Sequence, residues 1–168
     1  MLALIEKLEA SEEFKKFKKE NPEAYFCGVF FIMAAHEPEN KRQLNFMLPS
    51  GKMVLFDMGL HGEKITYSEL EQPALSGEKP KAIKDGEIKV DDEGAVNLIA
   101  KESGKRYDKT IAVLQKNKDG LLWNMTCIDG FTLHRYFVDA VTGKLDHQKD
   151  IKLQDMTRVE NKTPGYIN

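Results

Sequence analysis

The sequence predicts an α+β fold built from two tandem helix-plus-antiparallel-sheet units, each with the order helix, strand, strand, strand (αβββ). Three observations carry that expectation. Apolar residues recur at helical spacing near the start of each half. Each helical stretch is followed by short runs rich in β-branched and aromatic residues. A glycine-bearing turn precedes the third run in each half, at Pro49-Ser50-Gly51 and at Asp129-Gly130. The units are expected over residues 1–75 and 91–155, with a linker at 76–90 and a tail at 156–168. A spacing near ninety residues implies duplicated units rather than a solenoid.

In the first half, Leu2, Ile5, Leu8, Phe14 and Phe17 place a helix over residues 2–20. Glu12 and Glu13 precede Lys15, Lys16, Lys18 and Lys19, the charge order a helix dipole favours. Ser11 can cap a second segment, so a break near residue 11 is expected. Asn21-Pro22 ends the helix, because a residue before proline is pushed out of the helical region. Strands are expected over residues 24–35, 41–48 and 52–58, with a loop containing Pro38 and Asn40 after the first. Residues 24–35 are apolar on both faces, which suits a strand in the middle of a sheet or one covered on both sides. Residues 67–72 read as a helical turn, and Pro73 to Pro80 as linker.

In the second half, Asp91 or Asp92 can cap a helix carrying Ala95, Val96, Leu98, Ile99 and Ala100, and Gly104 sits where a C-cap belongs. Strands are expected over residues 110–115, 121–128 and 132–138. A last, more polar strand is expected over 144–153. Whether the two units make one sheet or two is left open.

Composition narrows the class. With 41% hydrophobic and 31% charged residues, the chain is too apolar for disorder. A net charge of −2 argues against a whole-protein footprint for nucleic acid. The longest apolar run, residues 24–35, is too short for the roughly 18 residues that span a bilayer. Glu6, Lys7 and Glu9 interrupt the apolar N-terminus before a signal-peptide core forms. The expectations are therefore no nucleic acid, no membrane and a cytoplasmic location.

Candidate chemistry is sparse. Cys27 and Cys127 lie in apolar runs and read as buried, reduced thiols without zinc spacing. Among His36, His61, His134 and His147 no pair has the i, i+4 spacing of a helical metal site. His134 shares a strand face with Thr132, Tyr136 and Val138. Cys127 and His134 flank the Asp129-Gly130 hairpin, a nucleophile pair in principle, but a few residues out of register. Lys15, Lys16, Lys18 and Lys19 could touch phosphate, and read better as a solvated helix face. Tyr25, Phe26, Phe30 and Phe31 read as core, with a pocket between helix and sheet as the other reading. No phosphate loop, GxSxG or HExxH motif occurs.

Trp123-Asn124-Met125, followed by Tyr136-Phe137-Val138-Asp139-Ala140-Val141-Thr142-Gly143-Lys144-Leu145, resembles the PepSY family over residues 90–150. The resemblance implies a cystatin-like fold, with a helix packed across an antiparallel sheet, and a role in inhibition or interaction. Residues themselves give Asp139 and Gly143 a turn-forming role and Trp123 a packing role. The resulting expectation is a non-enzymatic module binding a protein or peptide, with no catalytic, cofactor or metal residues, and compatible with a homodimer. A small-molecule-binding or enzymatic domain is the alternative.

Overall fold

The structure, a computed structural model, describes residues 1–35, 40–59, 64–70, 79–84, 86–147 and 150–152. It is an α+β fold with one continuous antiparallel sheet. Expectations that rest on His36, Pro38, His61, the linker residues 71–78 and the tail 156–168 lie outside the described residues.

Helix α1 (Leu2–Ala10) and helix α2 (Glu12–Glu20) meet at Ser11. The Ser11 backbone is extended, its Oγ accepts from the Phe14 amide at 3.2 Å and donates to the Leu8 carbonyl at 2.6 Å. One hydroxyl thus satisfies an orphan group on each side of the break. The α2 end is closed by the Asn21 amide on the Phe17 carbonyl. Helix α3 (Asp92–Ser103) starts on Asp91, which accepts from the Gly94 amide at 2.9 Å, and ends at Gly104 with φ 73°. That positive φ is the left-handed conformation glycine adopts without a Cβ penalty.

The strands are β1 (Tyr25–Ala34), β2 (Lys41–Met47), β3 (Met53–Asp57), β4 (Thr66–Leu70), β5 (Lys109–Asn117), β6 (Gly120–Asp129), β7 (Thr132–Asp139), β8 (Leu145–His147) and β9 (Ile151–Lys152). Their order across the sheet is β4-β3-β2-β1-β5-β6-β7-β8, and β9 pairs with β7 beside β8. The two halves therefore meet where β1 pairs antiparallel with β5, from Gly28↔Gln115 to Ala34↔Lys109. The doubly apolar run at residues 24–35 is a central strand.

Two expectations need correction. Residues 66–70 are a strand on β3, with Asp57↔Thr66 and Met53↔Leu70 in register, not a helical turn. Thr66 and Tyr67 favour extended backbone, and an open edge of β3 was available to pair them. The last polar strand is two short pieces, both bonded to β7.

All helical burial falls on one face of the sheet. Leu8, Phe14, Phe17, Ala95 and Ile99 share a core with Val29, Phe31, Phe46, Phe56, Leu114, Trp123 and Val138. Under α2, the rings of Phe14, Phe17, Phe46 and Phe56 pack tilted or edge-on at 5.1–6.0 Å. Edge-on packing suits the ring quadrupole and adds about 0.5–1.5 kcal/mol per pair beyond area. A bulge between Phe26 and Gly28 lets Phe26 and Val29 both face that core while Cys27 turns to the other side.

Candidate functional site

The residues resembling the PepSY turn converge on one backbone position. Asp139 Oδ1 accepts from the Val141 and Thr142 amides, both at 2.8 Å, and Gly143 takes φ 74°. The Thr142 amide bond is the main cause that holds the Asp139 carboxyl below its usual value. The turn so formed presents the Ala140 carbonyl, which accepts from the Lys89 and Val90 amides at 2.8 Å each. Trp123 Nε1 donates to the Val90 carbonyl at 2.8 Å. Sheet and turn thus clamp the segment leading into α3. These residues are fully engaged in holding the fold.

The opposite sheet face carries no helix among the described residues, and its cross-strand rows follow a pattern. One row runs Thr66, Asp57, Gln43, Phe30, Val113, Asn124, Phe137, Asp146. The next runs Lys41, Ile32, Ile111, Thr126, Arg135. In these two rows the charges lie at or next to the ends and the side chains between are neutral, apolar, amide or hydroxyl; a neighbouring row carries Lys109 in its interior, between Ala34 and Ile128. Phe30, Ile32, Ile111, Val113 and Phe137 are each partly exposed.

At the β7 edge on the helical side, His134 Nδ1 and His147 Nε2 both lie 2.8 Å from the same oxygen, Asp150 Oδ1. The pairing Tyr136↔His147 stacks these two rings at 4.6 Å and 20°. Tyr107 packs against His134 at 5.0 Å and shares a 2.7 Å hydroxyl contact with Tyr136. Burial pushes the Asp150 carboxyl up, but the bonds to His147 and His134 outweigh it and hold the group below its ordinary value. These three side chains are the group of metal-ligating type that the described residues bring together. Helical spacing could not find them. Pairing 136 with 147 across the turn brings His147 beside His134, and Asp150 follows three residues later.

Cys127 and His134 stand directly opposite each other, rather than out of register. The hairpin closes at Asp129↔Thr132, one residue later than a turn centred on Asp129-Gly130 would close. Cys127 is 1% exposed, and burial pushes its thiol up to about 11, only partly offset by the Thr110 hydroxyl. A thiol held protonated is a poor nucleophile. Burial likewise raises Cys27 to about 12. A cavity of about 180 Å³ lies beside Cys127, between α3 and the sheet, lined by Met33, Val96, Ile99, Tyr107 and Thr110 among others. Another of about 220 Å³ lies against α1. Lys15 pairs with Glu12, and Lys18 donates to the Pro22 and Ala24 carbonyls at the end of α2. Half of the candidate phosphate-binding lysines are therefore engaged locally.

No helix among the described residues is long and apolar enough to cross a membrane. No family model and no curated protein sequence matches the chain. A solved structure described as a putative lipoprotein from Clostridium difficile 630 is similar over 84% of this chain and 90% of that one, with 12% identity and a TM-score of 0.53. At that identity the likeness concerns the fold.

Proposed function

We propose that the protein is a non-enzymatic binding module that receives another protein on the helix-free face of its sheet. The observation that carries this reading is the pair of rows through Phe30 and Ile32: neutral in the middle, with Asp57, Asp146, Lys41 and Arg135 towards their ends. Protein interfaces share that anatomy, with charge depleted at the centre and a polar rim. Eight strands at about 4.8 Å spacing, averaging about 24 Å in length, span roughly 900 Å², of the order one partner contributes to a standard interface. The partner expected is a protein surface that is apolar at its centre with charges at its rim.

We read the fold in the same proposal as two αβββ units, residues 1–75 and 91–155, joined through β1 and β5. The element order and the central β1–β5 pairing support this. The PepSY resemblance belongs to the second unit, where Trp123 and the Asp139–Gly143 turn hold α3 to the sheet. The small-molecule alternative has less support. The enclosed cavities, of about 180 and 220 Å³, fall below the ~300–1,000 Å³ usual for ligand sites, and the larger one, about 380 Å³ beside Val90, Gly94 and Leu98, is a wide-open surface depression rather than a closed pocket.

The test is site-specific photo-crosslinking in cells of the source organism. A photoreactive residue is placed at Phe30 or Val113, and a control at Lys101 on the outer side of α3. A discrete heterologous adduct at Phe30 and Val113, absent at Lys101 and suppressed by Ile111→Glu, is the expected result. An adduct with a second copy of the chain would make the face a dimer interface instead. Equal labelling at all three positions, or none at the sheet positions, refutes the proposal.

A further inference from the structure

We propose that His134, His147 and Asp150 form a binding site for one late first-row divalent transition-metal ion, with Zn²⁺ the ion best suited. The inference is independent of the partner-binding face, since these side chains lie at the β7 edge on the helical side.

The donor atoms His134 Nδ1, His147 Nε2 and one Asp150 oxygen all lie within 4.8 Å of one another. Both nitrogens already stand 2.8 Å from the carboxylate oxygen. A tetrahedral ion at about 2.1 Å from each donor needs them about 3.4 Å apart. The carboxylate must move out slightly and the imidazoles must close in. The two residues that must move most are the more exposed ones: the His147 and Asp150 side chains are 43% and 45% exposed, while that of His134 is 13% exposed. His134 is the fixed ligand and is braced by Tyr107. His147 is stacked on Tyr136, whose hydroxyl meets that of Tyr107. Such outer contacts orient ligating rings in metal sites.

The donor set decides the metal. Two imidazoles and a carboxylate suit zinc, copper, nickel or iron, whereas calcium and magnesium take oxygen-rich shells. Three protein ligands leave a fourth tetrahedral position to solvent. On binding, the ion replaces the two N–H···O bonds to Asp150. Each of those two nitrogens must give up the proton it donates, which passes to solvent from a doubly protonated ring or by exchange through water to the other ring nitrogen of a neutral one; the freed nitrogen coordinates, the other stays protonated, and no redox change is involved.

The experiment is calorimetric titration of the metal-free full chain with Zn²⁺, repeated on His147→Gln, Asp150→Asn and the double control His36→Gln/His61→Gln. Folding of each variant is checked by circular dichroism. One Zn²⁺ per chain is expected, with affinity at least tenfold weaker in each of the first two variants and within twofold of the parent in the control. Co²⁺ in place of Zn²⁺ should give visible d–d bands that His147→Gln abolishes. Absence of binding, binding indifferent to His147→Gln and Asp150→Asn, or binding lost in the control would each overturn the site. Displacement of Zn²⁺ by millimolar Mg²⁺ or Ca²⁺ would overturn the metal class.

Discussion

Replacing Trp123 with Phe tests whether the clamp on the segment before α3 is a principal support of the second half. Trp123 is fully buried, and its indole N–H is the donor to the Val90 carbonyl at 2.8 Å. Phe keeps an aromatic body against Phe31, whose ring centroid lies 5.5 Å away, but has no donor. Leaving this part-buried acceptor unpaired costs about 1–3 kcal/mol, towards the lower end where water reaches it. The lost volume is about 40 Å³, which at ~24 cal/mol per Å³ adds about 1 kcal/mol. The expected destabilisation is therefore about 2–4 kcal/mol, a large share of the roughly 5–15 kcal/mol a domain possesses. In a chain of this length the melting temperature should fall by about 4–16 °C. Trp123 is the sole tryptophan, so the assay is urea unfolding followed by far-UV circular dichroism rather than fluorescence. An unchanged slope with a lowered midpoint would locate the loss in the folded state. A loss below about 1 kcal/mol would refute the reasoning, because it would mean that the Val90 carbonyl finds water or another donor at once.

Three further outcomes follow from the same geometry. Gly28→Ala would place a Cβ 2.7 Å from the Leu114 carbonyl oxygen; because that neighbour is backbone in the central β1–β5 pairing, the cost should be about 1–3 kcal/mol by thermal or urea unfolding. Asp139→Asn removes a carboxylate that the Thr142 amide holds below the ordinary aspartate range. A depressed carboxyl stabilises the fold above its unfolded value and loses that contribution as pH falls through the folded one, so the variant should be about 1 kcal/mol less stable at pH 7. The gap should shrink as the pH falls through and below the ordinary aspartate range, and a gap unchanged from pH 7 down into strong acid would contradict this account. With thiols pushed up to about 12 and about 11, Cys27 and Cys127 should be thiolate in roughly one molecule in 10⁴ and 10³ at pH 8. Iodoacetamide should then modify them only as fast as the protein unfolds; rapid labelling in the native state would show the burial to be wrong.

What could be read in advance was local. Ser11, Asp91 and Gly104 announce helix ends because a cap needs only its own side chain and backbone within three residues. The loop carbonyls and amides around Asp139 are equally local, and so the turn was legible before its purpose. Its purpose was not, because Val90 lies far back in the chain from both Trp123 and Ala140. The strand at residues 66–70 was missed for a similar reason. Its sequence carries weak preferences, and pairing with β3 decided between them. The His134–His147–Asp150 group depends on register, and a one-residue error in the β6–β7 hairpin is enough to separate Cys127 from His134 on paper. Side-chain convergence across strands is the product of pairing, and pairing is a long-range property.

The bulge in β1 bears on how much of the helix-free face a partner could use. Because Cys27 is the extra residue, it turns away from the helices and joins Met47 and Met53, with Tyr25 and Leu55 packed beside them. Cys27 and Met47 are only 1% exposed although, among the described residues, their cluster contains no helical residue. Their cover comes in part from the crossover at residues 79–84. The Tyr25 hydroxyl donates to the Pro80 carbonyl at 3.1 Å, the Lys81 amide bonds to Lys116, and the Ile83 amide bonds to Phe26 as the chain rounds the strand ends into the helix-side core. That end of the face is thus already occupied by the protein's own backbone. Phe30 and Ile32, further along the same strand, have no such cover among the described residues. On the proposed reading a partner would sit over the Phe30 and Ile32 rows and stop at the Tyr25 end, so that Ile111→Glu abolishes binding while an exposed substitution such as Lys79→Glu leaves it intact. Loss of binding from Lys79→Glu alone would place the contact on the crossover and move the site off the sheet.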